Sequence, residues 1–140
     1  MIVVDTNVVS ELMKPSPSPV IVAWIRAHPV AELYTTSVTQ AEIGYGIERL
    51  PDGRRKDTLR SAADDVFSTF SEQVLAFDTT AAVEYPRVVR RRDLAGAPID
   101  GFDAVIASIC RSHGATLATR NVRDFEGTGI AVIDPWHDAS

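Results

Sequence analysis

The stretch Phe102-Asp-Ala-Val-Ile-Ala-Ser-Ile-Cys-Arg-Ser-His113-Gly114-Ala115-Thr-Leu-Ala-Thr119 holds the pattern that decides the fold. Phe102 to His113 is apolar on nearly every side, which predicts a helix buried within a domain rather than one lying on its surface. Gly114 supplies the stop for that helix. Ala115 to Thr119 then reads as a short buried strand. A helix feeding a strand through a glycine is one unit of an alternating α/β layer architecture.

The same alternation extends in both directions. Upstream, Ile2-Val3-Val4 reads as a buried strand ending at Asp5 and followed by a polar loop. Pro15, Pro17 and Pro19 mark a break before an amphipathic helix over Val20 to His28, closed by Pro29. Glu32 to Thr36 reads as a second strand, and Thr39 to about Leu50 as a helix stopped by Pro51-Asp52-Gly53. Arg54 to Phe70 reads as a further helix and Glu72 to Phe77 as a third strand, with Asp78 and Thr79 placed to cap the next helix. That helix, Thr80 to Leu94, contains Pro86, which predicts a kink or a late start. Ile130 to Ile133 completes a set of about five strands. The expected fold class is α/β, with a mostly parallel sheet flanked by helices.

Composition narrows the function classes. A chain of 140 residues, 45% hydrophobic and 24% charged, has the size and make-up of one globular domain. Its single cysteine, Cys110, excludes an internal disulfide and fits a reducing, cytoplasmic setting. The amino terminus lacks the basic segment of a signal peptide, and no apolar run approaches the ~20 residues of a membrane helix. The net charge of −5 argues against nucleic-acid binding by bulk attraction. Arginines are nevertheless grouped, with Arg87 followed by the run Arg90, Arg91 and Arg92. Such residues suit phosphate or carboxylate recognition, or simply a solvated helix face.

In an open α/β sheet, ligands bind beyond the carboxyl ends of the strands. Asp5 ends the first strand, Glu42 lies in the first turn of the helix after the second, Asp100 and Asp103 open the buried helix, and Asn121 and Asp124 follow the fourth strand. Each has a structural explanation: Thr39 with Glu42 reads as a capping box, Asp100 as an N-cap, Asp103 as a dipole-favoured first-turn acid and Asp5 as the closure of an Asx-turn. Collectively they point to chemistry, because converging carboxylates repel one another unless a hard divalent cation such as Mg²⁺ or Mn²⁺ neutralises them. His28, His113 and His137 have no zinc-ligand spacing, and phosphate-binding glycine loops and nucleophile elbows are absent.

Four segments in order resemble the PIN-domain ribonucleases of the VapC/FitB-like branch. They are Met1-Ile-Val-Val-Asp5-Thr6-Asn7-Val8-Val9-Ser10-Glu11, Ser37-Val-Thr39-Gln-Ala-Glu42, Asp103-Ala-Val-Ile-Ala-Ser108 and Ala118-Thr119-Arg120-Asn121-Val-Arg-Asp124-Phe125, with Ile133-Asp134-Pro135-Trp136 closing the match. The resemblance implies one PIN-like domain over residues 1–140 and a Mg²⁺- or Mn²⁺-dependent endoribonuclease, the toxin of a toxin–antitoxin pair. It places Asp5, Glu42 and Asp103 in the acidic metal centre. Where the family often has a fourth acid this chain has Asn121, the fourth catalytic candidate, whose carbonyl can still ligate or orient water; Asp124, three residues on, is the alternative. Asp100, Thr6 and Ser37 are supporting candidates. Arg90, Arg91, Arg92 and Arg120 are candidates for gripping RNA phosphates. An antitoxin inserting a basic side chain among the carboxylates is the implied partner, together with a homodimer; the apolar residues Val20 to Ile25 suit either its surface or core packing. Two rival readings are a catalytically inactive PIN-like module gripping a basic partner and a phospho-acceptor receiver domain. The receiver needs a late lysine, and none follows Lys56.

Overall fold

The computed structural model describes residues 1–137. Five parallel strands, β1 (Ile2–Val4), β2 (Leu33–Thr36), β3 (Val74–Leu75), β4 (Thr116–Ala118) and β5 (Ala131–Ile133), form one sheet in the order β3-β2-β1-β4-β5. The helices are α1 (Thr6–Leu12), α2 (Pro19–Arg26), α3 (Ser37–Glu48), α4 (Arg54–Phe70), α5 (Thr79–Leu94) and α6 (Gly101–His113). Short 3₁₀ turns occupy Val30–Glu32 and Val122–Phe125. The sheet register pairs Val3 with Leu117 and Val4 with Ala118.

Alternation along the strands divides the core into two layers. Val4 and Ala118 face Val8, Ile21, Trp24, Ile43 and Phe70 on the side of α1 to α4. Val3 and Leu117 face Val88, Ala104, Ile106 and Cys110 on the side of α5 and α6. Helix α6 carries six buried residues, as its unbroken apolar character predicts, and Gly114 ends it in the left-handed conformation at φ 61°.

Three local readings are corrected by the structure, and one that the sequence leaves open is decided. The polar loop expected after β1 is helix α1, because Val8 and Val9 are fully buried and their burial outweighs the weak helix preference of valine. Asp5 is the N-cap of that helix, accepting from the Thr6 amide. Thr36, not Thr39, caps α3: its hydroxyl accepts from the Thr39 amide, so Thr39 is the third helical residue and Glu42 moves into the second turn. Pro86 lies inside α5, which runs through it. Ala82 and Pro86 are both on the exposed side, so the carbonyl that loses its donor faces water. Finally, Ile21 and Trp24 point into the core, leaving Val20 as the exposed large aliphatic residue of the segment suited to either a dimer surface or core packing. Among the described residues, no helix is long and apolar enough to cross a membrane.

Candidate active site

The carboxyl end of β1 delivers Asp5 to a rim it shares with the start of α6, the second turn of α3 and the segment after β4. Asp5 is only 5% exposed, and both of its carboxylate oxygens are engaged. Oδ1 accepts from the Thr6 amide at 2.8 Å, and Oδ2 accepts from the Thr119 hydroxyl at 2.8 Å. Thr119 is fully buried; its oxygen also accepts from Asn7 Nδ2 at 3.0 Å and from the Asn121 amide at 3.1 Å. The Thr119 hydroxyl is thereby saturated, and its proton is committed to Asp5.

A second relay holds Glu42. Thr6 Oγ1 donates to Glu42 Oε1 at 2.9 Å and lies 3.1 Å from Thr39 Oγ1, while Thr36 Oγ1 donates to Thr39 Oγ1 at 3.4 Å. Each hydroxyl owns one proton, so the direction is fixed: Thr36 to Thr39 to Thr6 to Glu42. Thr6 thus bridges two of the acids, its amide donating to Asp5 and its hydroxyl to Glu42. Thr36, Thr119 and Asn7, together with Thr39 beyond its expected capping box, are neighbours of the acids that motif reading does not single out. Their signal is a hydroxyl or amide at a strand end or first helical turn beside each acid. Ser37, the first residue of α3, is half-buried and takes no part in the relay.

Asp103 differs from the other two acids in that no hydrogen bond holds its carboxylate among the described residues. Its pKa is pushed up to about 6, first by burial and then by the charges of Asp5, Asp100, Asp124 and Glu42. Burial also raises Asp5, although its bonds from Thr119 and Thr6 pull it back and Asp124 pushes it up again. Glu42 is raised by burial, held back by Thr6, and raised by Asp5 and Asp100. Five carboxylates therefore share one field. Asp100 occupies the capping role read from sequence, its Oδ2 accepting from the Phe102 amide at 3.1 Å and the Asp103 amide at 3.4 Å, yet its charge still reaches Asp103 and Glu42.

After β4 the charge resides on Asp124. Asp124 acts on both Asp5 and Asp103, whereas Asn121 caps the 3₁₀ turn without a side-chain bond and contributes its amide to Thr119. Among the described residues, no three His, Cys, Asp or Glu side chains are drawn together into a preformed metal-binding group. The donor chemistry nevertheless fits a hard cation. Mg²⁺ and Mn²⁺ take oxygen ligands, and Mg²⁺ needs only one or two carboxylates beside its waters. Mutually repelling carboxylates gain most when such a charge arrives.

The arginines divide. Arg92 is 8% exposed and points inward, its Nε donating to the Ala97 carbonyl and its Nη1 to the Asp124 carbonyl, each at 2.6 Å. This overturns its expected place on an RNA-gripping surface: helical periodicity turns the third residue of the run into the fold. Arg90 and Arg91 are exposed. Arg120 stacks on Trp136, with its guanidinium carbon 3.9 Å from the ring centroid, and its amide donates to Asn7 Oδ1 at 3.2 Å. Its charge falls on Glu11 rather than on the acidic rim.

A family model for the PIN domain matches residues 2–130. The plasmid stability protein StbB of Pseudomonas syringae pv. tomato is 37% identical, over 97% of this chain and 99% of its own. The VapC ribonuclease Y4jK of Sinorhizobium fredii is 35% identical, over 99% of this chain and 100% of its own. The toxin FitB of Neisseria gonorrhoeae is 32% identical, over 99% and 100% respectively. The crystal structure of FitAcB from Neisseria gonorrhoeae superposes with a TM-score of 0.90 at 32% identity, covering 98% of this chain and 99% of that one. With its parallel sheet, its acids gathered at one rim and these relatives along its whole length, the chain belongs to the PIN domain family, on its VapC/FitB-like branch.

Proposed function

We propose that this protein is a Mg²⁺- or Mn²⁺-dependent endoribonuclease and the toxin of a toxin–antitoxin pair. The observation that carries the reading is Asp103: a half-buried carboxylate without hydrogen-bond donors, raised to about 6 beside four other acids, is poised for a cation. Asp5 and Asp103 hold the ion and Glu42 contributes from the α3 side, with Asp124 as the fourth acid. When bound, the cation supplies positive charge for the phosphodiester and acidifies water for attack on phosphorus. Thr119 and Thr6 keep Asp5 and Glu42 turned toward that position. The relative named a VapC ribonuclease supports RNA as the substrate class, and the relative named toxin FitB supports an antitoxin as partner. A basic side chain of that partner, placed among the five carboxylates, gains charge-assisted hydrogen bonds where a cation otherwise sits. The active form is a homodimer in the cytoplasm, its interface lying outside the buried face of α2.

Purified protein free of its antitoxin, incubated with mixed RNA, tests this reading. Cleavage that requires Mg²⁺ or Mn²⁺, stops with EDTA and is lost in Asp5→Asn is the expected result. A folded protein that binds Mn²⁺ and leaves RNA intact overturns it in favour of a module that grips a basic partner.

A further inference from the structure

The helical stripe Glu84, Arg87 and Arg91 on α5 faces Arg111 near the end of α6, well away from the acidic rim. Arg111 Nε donates to Glu84 Oε2 at 2.9 Å and its Nη1 donates to the Thr128 carbonyl at 3.0 Å; Arg87 Nη1 donates to Glu84 Oε1 at 3.1 Å. One carboxylate is thus shared by two guanidinium groups, and together they hold Glu84 below the ordinary glutamate range, Arg111 first. Arg91 brings a third guanidinium to the same place. A Cβ on Gly129 would lie 2.0 Å from Arg111 Nη1 and 3.0 Å from Arg91 Nη1, so both forks converge over that glycine. Gly129 has φ +84° and no side chain, and this is what lets Arg111 sit so close to the backbone. Among the described residues Arg91 has no carboxylate partner. Beside the cluster lies an open recess of about 270 Å³, lined by Glu84, Arg111, Gly114 and Gly129 among others.

Three cations around one anion leave excess positive charge on a chain whose net charge is −5. Guanidinium forks match phosphate oxygens in pairs, and Arg91, which has no carboxylate of its own among the described residues, leaves its donors open to an oxyanion beside Arg111. We propose that Arg87, Arg91 and Arg111 form a phosphate-oxyanion site over Gly129, occupied by a backbone phosphate of the RNA strand beyond the cut position. The assignment of its ligand to RNA rests on the proposed nuclease function. Arg111 lies eight residues after Asp103 on α6, roughly 12 Å along the axis, so a strand held at both places runs along this helix away from the acidic rim. The site also replaces the linear run as the phosphate-gripping feature: periodicity aligns Arg87 with Arg91, sends Arg92 inward and leaves Arg90 on a different side.

Inorganic phosphate titrated into ¹⁵N-labelled protein in EDTA, followed at the Gly129 amide, tests the site without catalysis. A saturable shift that disappears in Arg91→Ala is expected; no shift, or the same shift in Arg91→Ala, overturns the site. An equal response to acetate identifies a receptor for protein carboxylates and overturns the RNA assignment. In a second arm, binding of single-stranded RNA in EDTA is measured against salt concentration for the parent and for Arg87→Ala/Arg91→Ala. The slope of log K against log salt is expected to fall by about 0.7 for each RNA phosphate that the variant no longer neutralises. An unchanged slope with an intact phosphate shift leaves free phosphate as the ligand and overturns RNA. Phosphate binding that survives in a protein unable to cut RNA with Mn²⁺ sinks the nuclease reading alone and leaves the anion site standing.

Discussion

Thr119 Oγ1 donates to Asp5 Oδ2 at 2.8 Å across 114 positions of sequence, joining the ends of the two central strands at the acidic rim. The hydroxyl lowers the Asp5 pKa against the larger effect of burial and fixes which way the carboxylate faces. Thr119→Val keeps the shape and removes the donor to Asp5, together with the acceptor used by Asn7 and the Asn121 amide. Loss of a hydrogen bond that orients a metal-binding carboxylate typically costs 10–100-fold. Mn²⁺ affinity and RNA cleavage are expected to fall together by that order, while Thr119→Ser stays near the parent. Parallel Mn²⁺ titrations and kcat/KM measurements check this.

Asp103 makes the metal-free fold sensitive to pH in a defined direction. Its folded pKa of about 6 lies above its ordinary value of 3.8, so between these values the folded state holds a proton that the unfolded chain has released. Stability is therefore greater at pH 5 than at pH 7.5, and is lost as pH rises through about 6. Asp103→Asn is expected to flatten this dependence and to stabilise the EDTA-treated protein at pH 7.5 by on the order of 1 kcal/mol, a figure reduced for the half-exposed position. Urea unfolding at the two pH values supplies the comparison. Mg²⁺ should stabilise the parent more at pH 7.5 than at pH 5.

Arg92 is a structural residue, and its replacement should be felt in stability. Arg92→Ala leaves the Ala97 and Asp124 carbonyls without their charged donor. Bonds of this kind contribute about 1.5–3 kcal/mol each, so for the two together a loss of roughly 3–6 kcal/mol is expected. Arg90→Ala, on an exposed side of the same helix, should remain within about 0.5 kcal/mol of the parent. Denaturant midpoints separate the two outcomes.

Substitution of two neighbours tests which of them serves as the fourth site residue. Asp124→Asn removes a charge that acts on both Asp5 and Asp103, and should weaken Mn²⁺ binding and cleavage about tenfold. Asn121→Ala leaves the Asn121 amide bond to Thr119 in place and should cost less. Equal losses in the two variants would count against Asp124.

Much of the fold was legible because its signals are local. The apolar α6 sequence, the glycine after it and the short strand runs each state a preference that packing then satisfies. Helix α1 was not legible in the same way: Thr6 to Leu12 is rich in valine, and it is helical because Val8 and Val9 find a buried site formed by distant strands and helices. The acids at the strand ends could be anticipated from position. Thr119, Thr39 and Asn7 could not, because their importance lies in partners 33 to 114 residues away. The arginine run misled for a periodic reason, since three consecutive helical residues point in three directions and only one of them was buried.

The strand order β3-β2-β1-β4-β5 also has a consequence for the timing of synthesis. β1 leaves the ribosome first, but its neighbour β4 begins only at Thr116, so the first strand waits for most of the chain before its pairing is complete. Asp5 is made early; Asp103, Thr119 and Asp124 are made late. Because Asp5 receives its Thr119 donor only when β4 lies beside β1, a nascent chain lacks that bond until Thr119 has been made.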